Sequence, residues 1–262
     1  MRILKNSILL IAVVLLACAQ SCNRPVDNSK YFNLGQVVTA DNELTAAEKA
    51  QGWQLLFDGE TLEGWHIAGK SGVPDSGWVV TEGQIVKYAQ QPGSRHAGDI
   101  VTDALFKNFI VKVDFKISEA GNSGLKYFVD PAMESIPGGA SIGCEFQMLD
   151  DERHPDAKAG VKGNRTLSSL YDLIPAQKED APFDLYDFNT AMVYVCGNHV
   201  EHWLNGVKVV EYERGTQMWN ALVAYSKYRH YPNFGNAEYG HLLLQDHNDE
   251  IRFKNIKIKV LD

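Results

Sequence analysis

From Phe109 to Ile117 the chain alternates without a break. Phe109, Val111, Val113, Phe115 and Ile117 share one parity; Ile110, Lys112, Asp114 and Lys116 share the other. Successive side chains of a strand point to opposite faces, so this period of two marks a strand with one face in a core. Shorter stretches of the same kind recur. They lie at 53–57 running into Asp58-Gly59, at 62–67, in a hairpin of 78–80 and 84–88 around Glu82-Gly83, and at 125–129 and 142–149. Three more, at 191–196, 199–204 and 207–212, turn at Gly197-Asn198 and Asn205-Gly206, the second a strong hairpin signal. The last two are 240–246 and 251–260, where a phase shift near Lys254-Asn255 predicts a bulge. At 125–129 the alternation sets Leu125, Tyr127 and Val129 against Lys126 and Phe128.

Helix signals are few: 44–51, with Thr45 as N-cap and Glu48 completing a capping box, and a short stretch at 216–227. The segments 90–103, 121–124, 172–188 and 228–239 read as connections. About a dozen short strands with so little helix predict an all-β chain, a sandwich or a barrel. No repeat of constant period is present, which argues against a propeller.

The N-terminus reads as a leader. Arg2 and Lys5 precede an apolar run at 8–17, too short to span a bilayer, that ends in LLAC (15–18), which resembles a bacterial lipoprotein box. Cys18 is the expected acylated residue, with Cys22 as the alternative. This predicts a lipoprotein signal peptide over 1–22, a flexible tether over 23–43 and a single domain over 44–262. The protein would then be lipid-anchored in the envelope of a Gram-negative bacterium, meeting the membrane only through its lipid. Cys144 and Cys196 read as free thiols, with a single bridge as the alternative. A net charge of −8 without a dense Lys/Arg stripe argues against a nucleic-acid partner.

Chemistry concentrates between 140 and 172. Glu145 and Gln147 lie two apart in an apolar run, so they share one strand face while Cys144, Phe146 and Met148 take the other. Asp150 ends the run, and a charged loop with Arg153, His154 and Arg165 follows. A bulge after Gln147 would return Asp150 to the face of Glu145. That is the arrangement of retaining glycosidases, whose two carboxyls stand ~5 Å apart. Lys126 alternates out of its own apolar set, and His247 lies just past a strand end. His154, Asp150 and Asp151 match no firm metal signature, so a divalent metal is left open. Phosphate-binding glycine loops, His-Glu-x-x-His and Gly-x-Ser-x-Gly are absent.

Several motifs acquire meaning together: LLFDG (55–59) with Trp65, GNSG (121–124), EFQMLD (145–150), HWLNG (202–206), and LQDH (244–247) with FKNI (253–256). In this order and spacing, from about Trp53 to Leu261, the chain resembles the 3-keto-disaccharide hydrolase family. The resemblance implies a two-sheet antiparallel jelly-roll sandwich, similar to concanavalin A-like lectins and glucanases. It also implies cleavage of a glycoside or oligosaccharide oxidised at C3, by removal of the C2 proton, elimination of the C1 substituent and net hydrolysis. A sugar 3-dehydrogenase would be its functional companion.

On that resemblance Glu145, Gln147 and Asp150 form the cleft floor. His154 or His247 is the base, with Glu145 as rival. Lys126 and Arg165 hold the C3 oxygen, and Asn122, Tyr171 and Gln245 bind hydroxyls. The alternatives are a retaining β-glycosidase using Glu145 and Asp150, and a carbohydrate-binding module without catalysis.

Overall fold

A computed structural model describes residues 40–261, except Val73, Asp75, Ser76 and Arg95. The leader with Cys18 and Cys22, and most of the tether, lie outside the described residues. The expected all-β architecture is present as a two-sheet antiparallel jelly-roll sandwich. The larger sheet runs in the order β11 (Val207–Glu213), β10 (His199–Leu204), β9 (Asn189–Cys196), β6 (Phe109–Ile117), β13 (Ile251–Val260), β4 (Gln84–Lys87) and β3 (Trp78–Thr81). β1 (Trp53–Leu55) also pairs with β13. The smaller sheet is β2 (Trp65–Ile67), β5 (Ile100–Thr102), β12 (His241–Leu244), β7 (Asn122–Val129) and β8 (Cys144–Leu149). Among the described residues there are two α-helices, α1 (Ala46–Ala50) and α2 (Gln217–Tyr225), besides short 3-10 turns. The capping box of Thr45 and Glu48 forms as expected.

The odd-numbered positions of β6 decide where the core lies. Phe109, Val111, Val113 and Phe115 are fully buried between the sheets, facing Leu125, Tyr127, Phe146 and Met148. Ile110, of the opposite parity, packs on the other face of the larger sheet with Trp53, Met192, Tyr194 and Trp203.

Two bulges give the sheets their shape. The bulge expected near Lys254-Asn255 is there, with Asn255 at φ 51. It divides one edge of β13 between β4, paired at 251–253, and β1, paired at 257–259. Asn42 braces it: Asn42 N–H donates to Asn255 Oδ1 at 2.6 Å and Asn255 N–H donates to Asn42 Oδ1 at 2.9 Å. Asn42 is buried, so the domain begins before the expected boundary at 44.

The second bulge was not foreseen. Tyr127 and Phe128 of β7 stand against the single residue Leu242 of β12, and Phe128 takes φ 54. Both rings therefore enter the core, and Val129 passes to the opposite face with Val101 and Leu243. Simple alternation had put Phe128 with Lys126; a bulge reverses parity, which a short pattern does not reveal.

Two further expectations are corrected. Asn122, Ser123 and Gly124 belong to β7, not to a connection, because Gly124 serves packing and not a turn. β5 lies inside the stretch read as a loop, its three residues too few to show a period. Cys144 is free and buried, as expected, but Cys196 is disulfide-bonded and not a free thiol.

A polar chain crosses the core. His202 Nδ1–H donates to Ser168 O at 3.0 Å, so Nε2 accepts from Tyr127 Oη at 2.7 Å, and Tyr127 Oη meets Tyr212 Oη at 2.9 Å. Burial without a carboxylate pulls the His202 imidazole down to about 4. The unfolded state therefore binds this proton first as pH falls. Stability is full above the ordinary histidine value of about 6.5 and declines toward the folded value. The loss over that interval is ~3 kcal/mol at 1.36 kcal/mol per unit. Denaturant midpoints of wild type and His202→Gln between pH 7 and pH 4 should show a steeper decline for wild type; parallel curves would refute the assignment.

Candidate functional site

The face of the smaller sheet turned away from the core carries the polar cluster. Its register lays side chains out in rows. One row runs His66, Val101, Leu243, Lys126 and Glu145 across β2, β5, β12, β7 and β8. The next contains Gln245, whose N–H donates to Gly124 O at 3.0 Å, then Gly124 and Gln147. Asn122 begins the third, with His247 beside it at 3.5 Å. As expected, Cys144, Phe146 and Met148 go to the core and Glu145 and Gln147 stand together opposite them.

Glu145 is 3% exposed. Gly124, its diagonal neighbour on β7, makes room for it. A Cβ on Gly124 would lie 2.9 Å from Glu145 Cγ and 3.0 Å from Cδ. With its amide nitrogen facing acceptors, Gln147 donates to Ser123 O at 2.9 Å and to Glu145 Oε1 at 3.3 Å. Among the described residues no cation forms a close ion pair with Glu145. Burial raises its pKa above the ordinary carboxylate value, against the pull of Lys126 and Lys227. Lys126 Nζ donates to Ser141 O at 3.1 Å and stands 3.8 Å from Asp99 Oδ2.

The loop after β8 returns to extend the sheet. Tyr171 N–H donates to Glu145 O, and Ser168 N–H to Gln147 O, which sets Tyr171 next to Glu145. Tyr171 Oη donates to Asp156 Oδ2 at 2.7 Å. Arg165 donates to Asp156 Oδ1 at 3.0 Å and to Asp172 Oδ1 at 2.8 Å. Arg165 thus braces two carboxylates and presents no free fork, contrary to the role expected of it.

Lys227 takes the place beside Glu145. Its N–H donates to Asp172 Oδ2 at 2.9 Å and its ammonium lies 4.1 Å from the centre of the Tyr171 ring. Lys227 is exposed as a whole residue. The aromatic crowding around its head still holds its pKa below the ordinary lysine value, against the pull of Glu145. A stack of rings fixes this loop to the core: Tyr212 on Trp219 at 5.1 Å, Trp219 on Phe234 at 6.1 Å, and Phe234 on Tyr228 at 4.0 Å.

At the far end His154 and His247 meet edge to face, centroids 5.7 Å apart. Asp249, 3.8 Å from His247 Nδ1, raises the His247 pKa; burial lowers that of His154. These two rings and Asp249 bring three ligand atoms within 4.8 Å of one another. Two acceptors here, Asn122 Oδ1 and Gln245 Oε1, are buried without a partner.

Asp150 does not join Glu145. The β7–β8 register is unbroken through Leu149, so no bulge returns Asp150 to the Glu145 face. Its carboxylate accepts from Ala120 N at 2.9 Å, Glu152 N at 3.1 Å and Arg153 Nη1 at 3.1 Å. Burial opposes ionisation, but these donors prevail and hold its carboxyl below the usual range. Asp151 is likewise occupied, by Leu167 N and Lys178, which removes both from the metal set considered with His154.

Lys126, Glu145, Gln147, Asn122, Gln245 and Tyr171 are therefore brought to one face, with His154 and His247 at its end. Lys227, Asp249 and Gly124 were missed. Lys227 ended the stretch read as a short helix at 216–227, just before a connection rich in aromatics, and nothing local marked it as a partner of Glu145. Gly124 carried a usable signal, a glycine inside a strand pattern.

The comparisons agree with this architecture. A family model described as a 3-keto-alpha-glucoside-1,2-lyase-like domain matches residues 52–259. A 3-keto-disaccharide hydrolase of Bacteroides thetaiotaomicron is 35% identical over 235 residues, covering 81% of this chain and 80% of that one. A Parabacteroides distasonis crystal structure, assigned as a glycosyl hydrolase, superposes with a TM-score of 0.72 at 34% identity, over 85% of this chain and 100% of that one. A second from the same species, at 23% identity and a TM-score of 0.57, shares the fold. With more than half its length matched and a relative above 30% identity, the chain belongs to the 3-keto-alpha-glucoside-1,2-lyase-like family.

Proposed function

We propose that this protein cleaves glycosides already oxidised to a ketone at C3, by taking the C2 proton and expelling the C1 substituent. The observation that carries this reading is Glu145, a buried carboxylate without a close counter-ion among the described residues, seated over Gly124, opposite Lys126 and within the field of Lys227. A desolvated carboxylate is a stronger base, and a C2 proton next to a ketone is acidic because its electrons pass to the C3 oxygen. Lys126 and Lys227 are suited to stabilise that oxyanion. The electrons then return to form the C1–C2 double bond as the C1–O bond breaks, and the departing oxygen takes up a proton. Water adding across the double bond makes the net reaction a hydrolysis.

Asn122 Oδ1 and Gln245 Oε1, buried and unpartnered, suit sugar hydroxyls as donors. The relative's name and the family description point to the same substrate class. A retaining glycosidase would need a second carboxylate near Glu145, and Asp150 is turned away and capped. The ketone must be supplied by an enzyme that dehydrogenates the sugar at C3. The lipid anchor expected at Cys18 would keep the reaction at the cell envelope.

The protein should release nitrophenol from a nitrophenyl 3-keto-glucoside and not from the parent glucoside; the reverse preference would refute the reading. Glu145→Gln should lower turnover by ~10²-fold or more. Its melting temperature at neutral pH should rise, since ionising a group whose folded pKa is raised disfavours the folded state.

The reaction needs Glu145 ionised, so kcat/KM should rise with pH through a limb above the ordinary carboxylate value. Lys126→Met removes the larger of the charges that lower this pKa and should move the limb to higher pH. An unmoved limb would exclude Glu145 as the titrating base.

Gly124→Ala forces the Glu145 carboxylate aside. Its kcat should fall by ~10²-fold, the effect of displacing a reacting group by about 1 Å.

A further inference from the structure

The imidazoles at the end of the polar face have no part in the proton transfers above, yet their arrangement is specific. His154 comes from the loop after β8; His247 and Asp249 come from the loop between β12 and β13. Their three ligand atoms lie within 4.8 Å of one another. His154 Nδ1 accepts from Asp156 N–H at 3.1 Å, which orients the ring and leaves Nε2 open. Asp249 Oδ2 accepts from Asn122 N–H at 3.0 Å. Outer hydrogen bonds that orient the ligands are the usual support of a metal centre. Among the described residues no lysine or arginine pairs with Asp249.

The other comparable cluster, His199 with Glu201 and Glu211, differs on this point. Lys208 pairs with both glutamates there, so a cation is already in place.

A second, independent observation points to a ligand. Asn122 is 3% exposed, its Oδ1 has no partner, and its amide nitrogen lies 3.5 Å from His247 Nε2. A ligand bound at this end of the face would supply the partner that this oxygen lacks.

We propose that His154, His247 and Asp249 bind a divalent transition-metal ion. Two imidazoles and one carboxylate favour ions such as Zn²⁺ or Mn²⁺ over Mg²⁺ or Ca²⁺, which prefer oxygen ligands alone. Three protein ligands leave positions open to an exogenous oxygen. Asn122 stands one row, about 7 Å, from Gly124 along β7. An ion there lies within reach of oxygens of a sugar resting on Glu145, and it would supply Lewis-acid contact to them. The inference does not depend on the 3-keto reading, because the ion needs no substrate to bind.

The test is calorimetric titration of the chelator-treated full chain with Zn²⁺ and with Mn²⁺, followed by thermal unfolding with and without the ion. We expect one ion per chain and a higher melting temperature. His154→Ala combined with His247→Ala should weaken binding at least ~10²-fold, more than the loss of a supporting residue does. Circular dichroism should show that variant folded, since His247 is exposed and His154 only half-buried. Glu145→Gln should bind the ion as wild type does, which keeps failure of the metal site distinct from failure of the proposed reaction. No binding up to millimolar ion, or undiminished binding by the double variant, would overturn the proposal.

Discussion

A carboxylate is costly to keep out of water, and the polar face of this protein is built around one that is. Glu145 lies in a strand interior, 3% exposed, without a close counter-ion. It is tolerated because a glycine diagonal to it on β7 leaves space for it, an amide meets it, and two ammonium groups act on it from a distance. Closer ion pairing would stabilise the fold more and weaken the base. On the proposed function, the arrangement trades stability for reactivity at this position.

The rest of the smaller sheet follows from holding that residue. Its core face is a continuous apolar layer of Leu125, Tyr127, Phe128, Phe146 and Met148 against the larger sheet. The bulge at Phe128 adds a ring to that layer and moves Val129 outward, giving the polar face an apolar flank beside Lys126. The loop from Asp150 to Asp172 is ordered from within: Asp150 caps its start, Asp151 holds its middle, and Arg165 ties Asp156 to Asp172. Asp150, a catalytic candidate in the sequence, joins Asp151, Asp156 and Asp172 as scaffolding for the loop that carries Tyr171.

Strand parity carried the sequence reading a long way. The run from Phe109 to Ile117, the hairpin at Asn205-Gly206, the capping box at Thr45 and the bulge at Asn255 all appear where local chemistry demands them. The sharing of one face by Glu145 and Gln147 also followed from spacing alone, because a pleated strand allows nothing else.

What chain order could not show was which distant groups meet. Lys227 is 82 residues beyond Glu145 and reaches it only through the ring stack that anchors its loop. Asp249 and His154 belong to different loops, and Asp150 is drawn off by Ala120 and Arg153. The sequence by itself determined the class of fold, the core face of unbroken strands such as β6 and β8, and the place of Glu145, since these depend on periodicity and turn chemistry within a few residues. Only the tertiary structure decided which charges act on Glu145, which carboxylates are occupied and which imidazoles converge. Those outcomes depend on packing between segments far apart in the chain.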